Sequence, residues 1–136
     1  MFIRLIITLV LLLSVSNAIE FKDMQKISLK KDEQTKILVK YDNYVRLFKF
    51  RWTLYVNEGL VLFRSYDSEV AQNVLYLNTK NQSFKLPLKA KGTDFYEVPY
   101  ILVKFTKFDY ETNSANFELV LSDRKSQIEL KYLPND

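Results

Sequence analysis

From Tyr44 to Asn57 the chain alternates with a period of two. Phe48, Phe50, Trp52, Leu54 and Val56 share one face, and Lys49, Arg51, Thr53, Tyr55 and Asn57 share the other. Successive side chains of a strand point to opposite sides of a sheet, so this is a strand with an apolar face and a polar one; a helix would scatter the same residues around its axis. Such a strand needs paired neighbours and a second layer over its apolar face. Asn57-Glu58-Gly59 supplies turn chemistry, with Gly59 expected to take the positive φ, and Leu60 to Tyr66 returns as the other arm of a hairpin.

The same logic recurs in the last third. Ile101, Val103 and Phe105 oppose Lys104 and Thr106, Glu111 to Ser114 turns the chain, and Phe117, Leu119 and Leu121 alternate with Asn116, Glu118 and Ser122. A further turn at Ser122 to Lys125 leads to Ile128, Leu130 and Tyr132. The turns are too short for the crossover helix of a parallel pair, so pairing is antiparallel. Ile27 to Leu29 and Ile37 to Val39 read as lysine-flanked edge strands. Phe84, Leu86 and Leu88 alternate around Pro87, which places that strand at an edge or bulge. Asn73 to Asn78 reads as a strand preceded by a loop or a single helical turn. The expected fold is all-β: an antiparallel two-sheet β-sandwich of seven to nine strands, with an immunoglobulin-like topology among the arrangements it admits. A small outer-membrane barrel fits less well, because most of these strands are shorter than the ~9–11 residues a tilted spanning strand requires.

Residues 1–18 differ in kind. Arg4 precedes a mostly apolar run from Leu5 to Leu13, and Ser16 and Ala18 stand where a signal peptidase reads small residues. The expectation is a cleaved signal peptide over 1–18, an exported protein (periplasmic or extracellular), and a single domain over 19–136 with no transmembrane span; the competing reading is a retained N-terminal anchor. The sequence has no Cys, so an exported domain must be held by packing and not by covalent staples. Apolar residues make up 48% and aromatics 15%, enough to supply such a core. The net charge of +4 falls to +3 when Arg4 leaves, too little to imply nucleic acid as a partner.

The absence of His and Cys removes the commonest general base, the thiol nucleophile and the usual zinc and haem ligands, so no cofactor or metal is expected. Two glycines leave no phosphate-cradling loop. Acids occur in near pairs at Asp67 and Glu69, Asp94 and Glu97, and Asp109 and Glu111; a small carboxylate-dependent hydrolase would draw on these, although acids beside turns are ordinarily just solvated. The stronger pattern is basic and aromatic. Lys49, Arg51 and Tyr55 share the outward face of the long strand, and Lys104 and Lys107 lie on another. Were those strands neighbours, they would form a positive, tyrosine-bearing surface able to bind a partner protein or an anionic envelope component. The expected function is therefore a non-catalytic binding or interaction module, with two alternatives: the hydrolase, and a structural subunit adding strands at a sheet edge through residues 26–40.

Overall fold

The structure, a computed structural model, describes residues 23–88, 98–124 and 127–135. The expected leader over 1–18 and the Asp94 and Glu97 pair lie outside these residues. The described chain forms nine strands: β1 (Asp23–Lys30), β2 (Thr35–Tyr41), β3 (Tyr44–Val56), β4 (Gly59–Tyr66), β5 (Glu69–Tyr76), β6 (Ser83–Pro87), β7 (Tyr100–Asp109), β8 (Ser114–Ser122) and β9 (Ile128–Leu133). They make two antiparallel sheets, one of four strands in the order β1-β8-β7-β6 and one of five in the order β5-β4-β3-β2-β9. No helix among the described residues is long and apolar enough to cross a membrane.

Three successive two-residue hairpins build most of the five-stranded sheet, closing at Tyr41 and Tyr44, Val56 and Gly59, and Tyr66 and Glu69. Asn57 and Glu58 both take positive φ (52° and 65°), as do Asp67 and Ser68 (50° and 66°), the signature of type I′ turns whose twist matches that of the strands they join. This corrects the expectation for Gly59. It is the first residue of β4 and not the left-handed turn residue, and its lack of a side chain serves another purpose: the Tyr76 ring covers it so closely that a Cβ would lie 2.9 Å from Cε1.

Residues from both sheets contribute to a single core. Phe50 of β3 meets Phe117 of β8 edge-to-face at 5.4 Å, and Trp52 meets Phe108 of β7 at 5.6 Å. At the other side, the Arg64 guanidinium lies 4.6 Å over the Phe84 ring and Tyr66 donates its hydroxyl to the Leu88 carbonyl. Where the chain passes from β1 to β2, Trp52 secures it twice: its Nε1 donates to the Leu29 carbonyl at 2.7 Å, and its own carbonyl accepts from Asp32 N–H at 2.9 Å. Near the C-terminal end, the buried Asp123 carboxylate, just past β8, accepts from Ile128 N–H at the start of β9 at 2.7 Å.

Four local readings change. β2 is an interior strand between β3 and β9, not an edge. β5 begins at Glu69 with no helical turn before it, because the Asp67-Ser68 hairpin starts the strand at once. The strand order also departs from an immunoglobulin's, since β2 to β5 form an unbroken meander in one sheet. Finally, the alternation of β3 breaks after Trp52, where the pairing with β4 shifts register by one residue. An inserted residue reverses the parity of everything after it. Leu54 and Val56, expected in the core, are 48% and 51% exposed, and Tyr55 turns inward. β7 carries a matching irregularity between Phe105 and Lys107, after which Phe108 rather than Lys107 faces the core.

Two stability changes follow, both measurable by urea unfolding. Glu58→Gly relieves a non-glycine residue from positive φ and should stabilise the protein by about 1 kcal/mol. Trp52→Phe keeps an aromatic ring but leaves the buried Leu29 carbonyl without its donor, and should destabilise by about 2 kcal/mol.

Candidate interaction surface

The register defines what the outer face of the five-stranded sheet presents. Leu54 on β3 stands opposite Val61 on β4, which stands opposite Val74 on β5. The next row runs Val56, Gly59 and Tyr76, and on the other side lies Arg51, Phe63 and Gln72. Farther along, Lys49 is flanked by Ser65 and then Val70 in one direction and by Lys36 in the other. Leu47, Leu38 and Lys131 form the following row, and Val45, Lys40 and Glu129 the last. The face thus grades from an apolar corner at β3, β4 and β5 to a cationic flank at β2, β3 and β9. Val70 is 76% exposed and Val45 58%, well beyond what a solvated strand normally presents in aliphatic residues.

Positive charge on this face is concentrated. The register sets Lys36 directly opposite Lys49, a like-charge pair that costs a sheet some stability. Arg51 reaches Asp32 at 3.8 Å, but both groups are about half exposed, so water and salt screen the pair and Arg51 keeps most of its reach. Arg46, which has the inner-face parity of Phe48, pairs with Asp67 at 3.6 Å and lies beside the Tyr44 ring. Between them Val45, Leu47, Lys49, Ser65 and Val70 line a hollow of about 470 Å³.

Of the residues expected to form the surface, Lys49 and Arg51 lie together on this face. Tyr55 does not. The β3 bulge turns it toward the other sheet, where it stacks on Phe108 at 4.1 Å and meets Phe105 edge-to-face at 5.9 Å. The tyrosine on the outer face is Tyr76. Lys104 and Lys107 belong to β7, in the other sheet, so they do not extend the surface. Lys104 instead stands opposite Glu118, itself opposite Lys26, in a row of alternating charge. Local pattern could not reveal the parity reversal, but one signal was readable: Leu60 to Phe63 is apolar on both faces of its strand, more than a one-sided core needs.

The two bulges gather a second group of side chains at one end of the molecule. Trp52, Leu54, Tyr55, Phe108 and Tyr110, with Lys31 and Asn113, line a cavity of about 280 Å³. Burial, with the neighbouring Tyr110 hydroxyl and Glu58 adding to it, pushes the Tyr55 phenol up to about 12 from the usual 10. The acid pairs have structural surroundings. Asp109 accepts from the N–H groups of Glu111 and Thr112 at 2.9 and 3.4 Å, which holds its carboxyl below the usual range and fixes the β7–β8 turn; Asp67 is the first residue of the I′ turn and Glu69 the first residue after it. Among the described residues no three acidic side chains are grouped to hold a metal ion.

Compared with protein-family models, curated proteins and solved structures, the chain matches none of them.

Because the folded state holds Tyr55 protonated more tightly than the unfolded chain does, its contribution is intact below pH 10 and is lost as the pH climbs through about 12. Absorbance titration of the phenolates should show a step near pH 12 that Tyr55→Phe abolishes, and unfolding of the parent protein should become easier across that window.

Proposed function

We propose that the protein is an exported, non-catalytic binding module of β-sandwich architecture, which docks through the outer face of its five-stranded sheet onto an envelope partner offering anionic groups beside apolar surface. The observation that carries this reading is the adjacency on one face of exposed aliphatic residues (Leu54, Val56, Val70 and Val74) and the cations Lys49 and Arg51. The inner face already supplies the core, so the outer aliphatics add nothing to it. Arg and aromatic side chains around an apolar centre are what recognition surfaces favour. Export is supported by the Met1 to Ala18 pattern alone, and a non-catalytic role by the lack of His and Cys.

Two assays test it together: capture of components from solubilised envelope fractions, and sedimentation with vesicles of phosphatidylglycerol and phosphatidylcholine. Lys49→Glu with Arg51→Glu should lower binding at least tenfold in whichever assay detects a partner, with circular dichroism and melting temperature unchanged. Leu54→Asp with Val74→Asp should do the same. Binding that survives both pairs of substitutions overturns the reading.

A further inference from the structure

Among the described residues four strands end a sheet: β1 and β6 in one, β5 and β9 in the other. An exposed edge offers unpaired N–H and C=O groups to any extended chain, and proteins blunt it with lysines, prolines, short strands or bulges. Three of the four edges are protected in this way. β1 carries Lys26 and Lys30; β6 has five residues including Lys85 and Pro87; β9 has six, carries Lys131 and runs into Pro134. β5 differs. It has eight residues in unbroken register with β4, without Lys, Arg, Pro or Gly, and its one charged residue, Glu69, stands at its start.

The hairpin determines which backbone groups of β5 point outward. Tyr66 and Glu69 close a two-residue turn as a hydrogen-bonded pair, so Glu69 faces β4, and alternation turns the N–H and C=O of Val70, Gln72, Val74 and Tyr76 away from it. Tyr76 is already engaged: its N–H donates to the Asn81 carbonyl at 3.0 Å and its carbonyl accepts from the Thr79 hydroxyl at 2.9 Å. Val70, Gln72 and Val74 remain, symmetric about Gln72.

We propose that β5 is a dimerisation edge, which pairs antiparallel with β5 of a second copy of this chain about a two-fold axis through Gln72. In that register Gln72 meets its own counterpart and Val70 meets Val74 of the second copy in both directions. Every outward N–H and C=O of the three residues then finds a partner, with Tyr76 left to its own loop. Self-complementarity is what favours a second copy over an unrelated strand: the free edge has a central residue, its flanks match aliphatic to aliphatic, and the Glu69 carboxylates lie at opposite ends. Pairing also covers Val70, the most exposed aliphatic side chain among the described residues.

The chain has no cysteine, so Gln72→Cys introduces the sole thiol. Directly opposed residues of a hydrogen-bonded antiparallel pair have Cα atoms about 5.5 Å apart, within reach of a short bis-maleimide. Gln72→Cys should cross-link to a dimer in high yield, and Gln25→Cys on the β1 edge should not. Size-exclusion chromatography with light scattering should find the purified protein dimeric. Gln72→Pro removes an outward N–H while sparing the β4 ladder, and should weaken the dimer at least tenfold. Val70→Lys with Val74→Lys should do the same and serves as the readout should the proline variant fail to fold. A parent protein that is monomeric at its highest soluble concentration, a dimer undiminished by the lysine pair, or equal cross-linking at positions 72 and 25 overturns the proposal.

Discussion

Trp52 is the residue on which the arrangement of the two sheets turns. With no disulfide to join them, the passage from β1 to β2 is held by its indole N–H on the Leu29 carbonyl and by its own carbonyl on Asp32 N–H. Its ring meets Phe108 of the opposite sheet, and the run continues through Tyr55, Phe105 and Phe117 to Phe50 and Phe48. Edge-to-face and offset ring pairs contribute roughly 0.5–1.5 kcal/mol each beyond the area they bury. A chain of them spanning both sheets therefore does in this cysteine-free domain what covalent staples do elsewhere. The indole N–H, which would be costly to bury alone, is the group that ties one sheet to the other, so packing and polar satisfaction are met by the same side chain.

The two bulges shape what surrounds it. After the shift in β3 the inward positions become odd-numbered, which brings Tyr55 onto Phe108; after the shift in β7 the inward position becomes Phe108, which gives Tyr55 a ring to stack on. Neither change would be useful alone. At the second irregularity the Thr106 hydroxyl donates to the Asn116 carbonyl of β8, while on the β6 side Gln82 exchanges hydrogen bonds with the backbone of Phe105. The bulge in β3 has a second product. Leu54 and Val56, carried to the outside by the same parity reversal, become part of the apolar corner of the outer face.

The strands and most of their inner faces were legible in the amino-acid pattern, because a side chain's place in an alternating run depends only on its neighbours in sequence. Phe48, Phe50, Ile101, Val103, Phe117 and Leu119 are buried as their alternation requires. Pro87, through its missing N–H, likewise placed its strand at an edge or a bulge, and β6 lies at a sheet edge. What was not legible depends on partners far along the chain. That β2 pairs with β9, and so lies inside its sheet, follows from a contact across some ninety residues that no local pattern encodes. The composite surface failed for the same reason: Lys49 and Arg51 share a face with each other, but Lys104 and Lys107 belong to a different sheet. Tyr55 was misplaced by one inserted residue, whose position is set by the ladder with β4 and by the ring waiting at Phe108.

The outer face and the free edge meet at Val74, which ends the Leu54–Val61 row and lies on β5. An antiparallel pair of β5 strands keeps a residue and its opposite on the same side of the sheet, so the two-fold axis of the proposed dimer runs perpendicular to the sheet. Both outer faces then look in one direction. Twist of roughly 20–25° per strand rotates the distant β2 and β9 strands, but β3, β4 and β5 of each copy stay near the axis, and these carry the apolar corner, Lys49 and Arg51. Two basic and apolar patches facing the same way suit an extended partner better than a small one, because each contact raises the effective concentration of the other. The lysines that blunt β1, β6 and β9 then fit with the bare edge of β5: among the described residues, pairing is left open at the edge where it would align the two proposed docking faces.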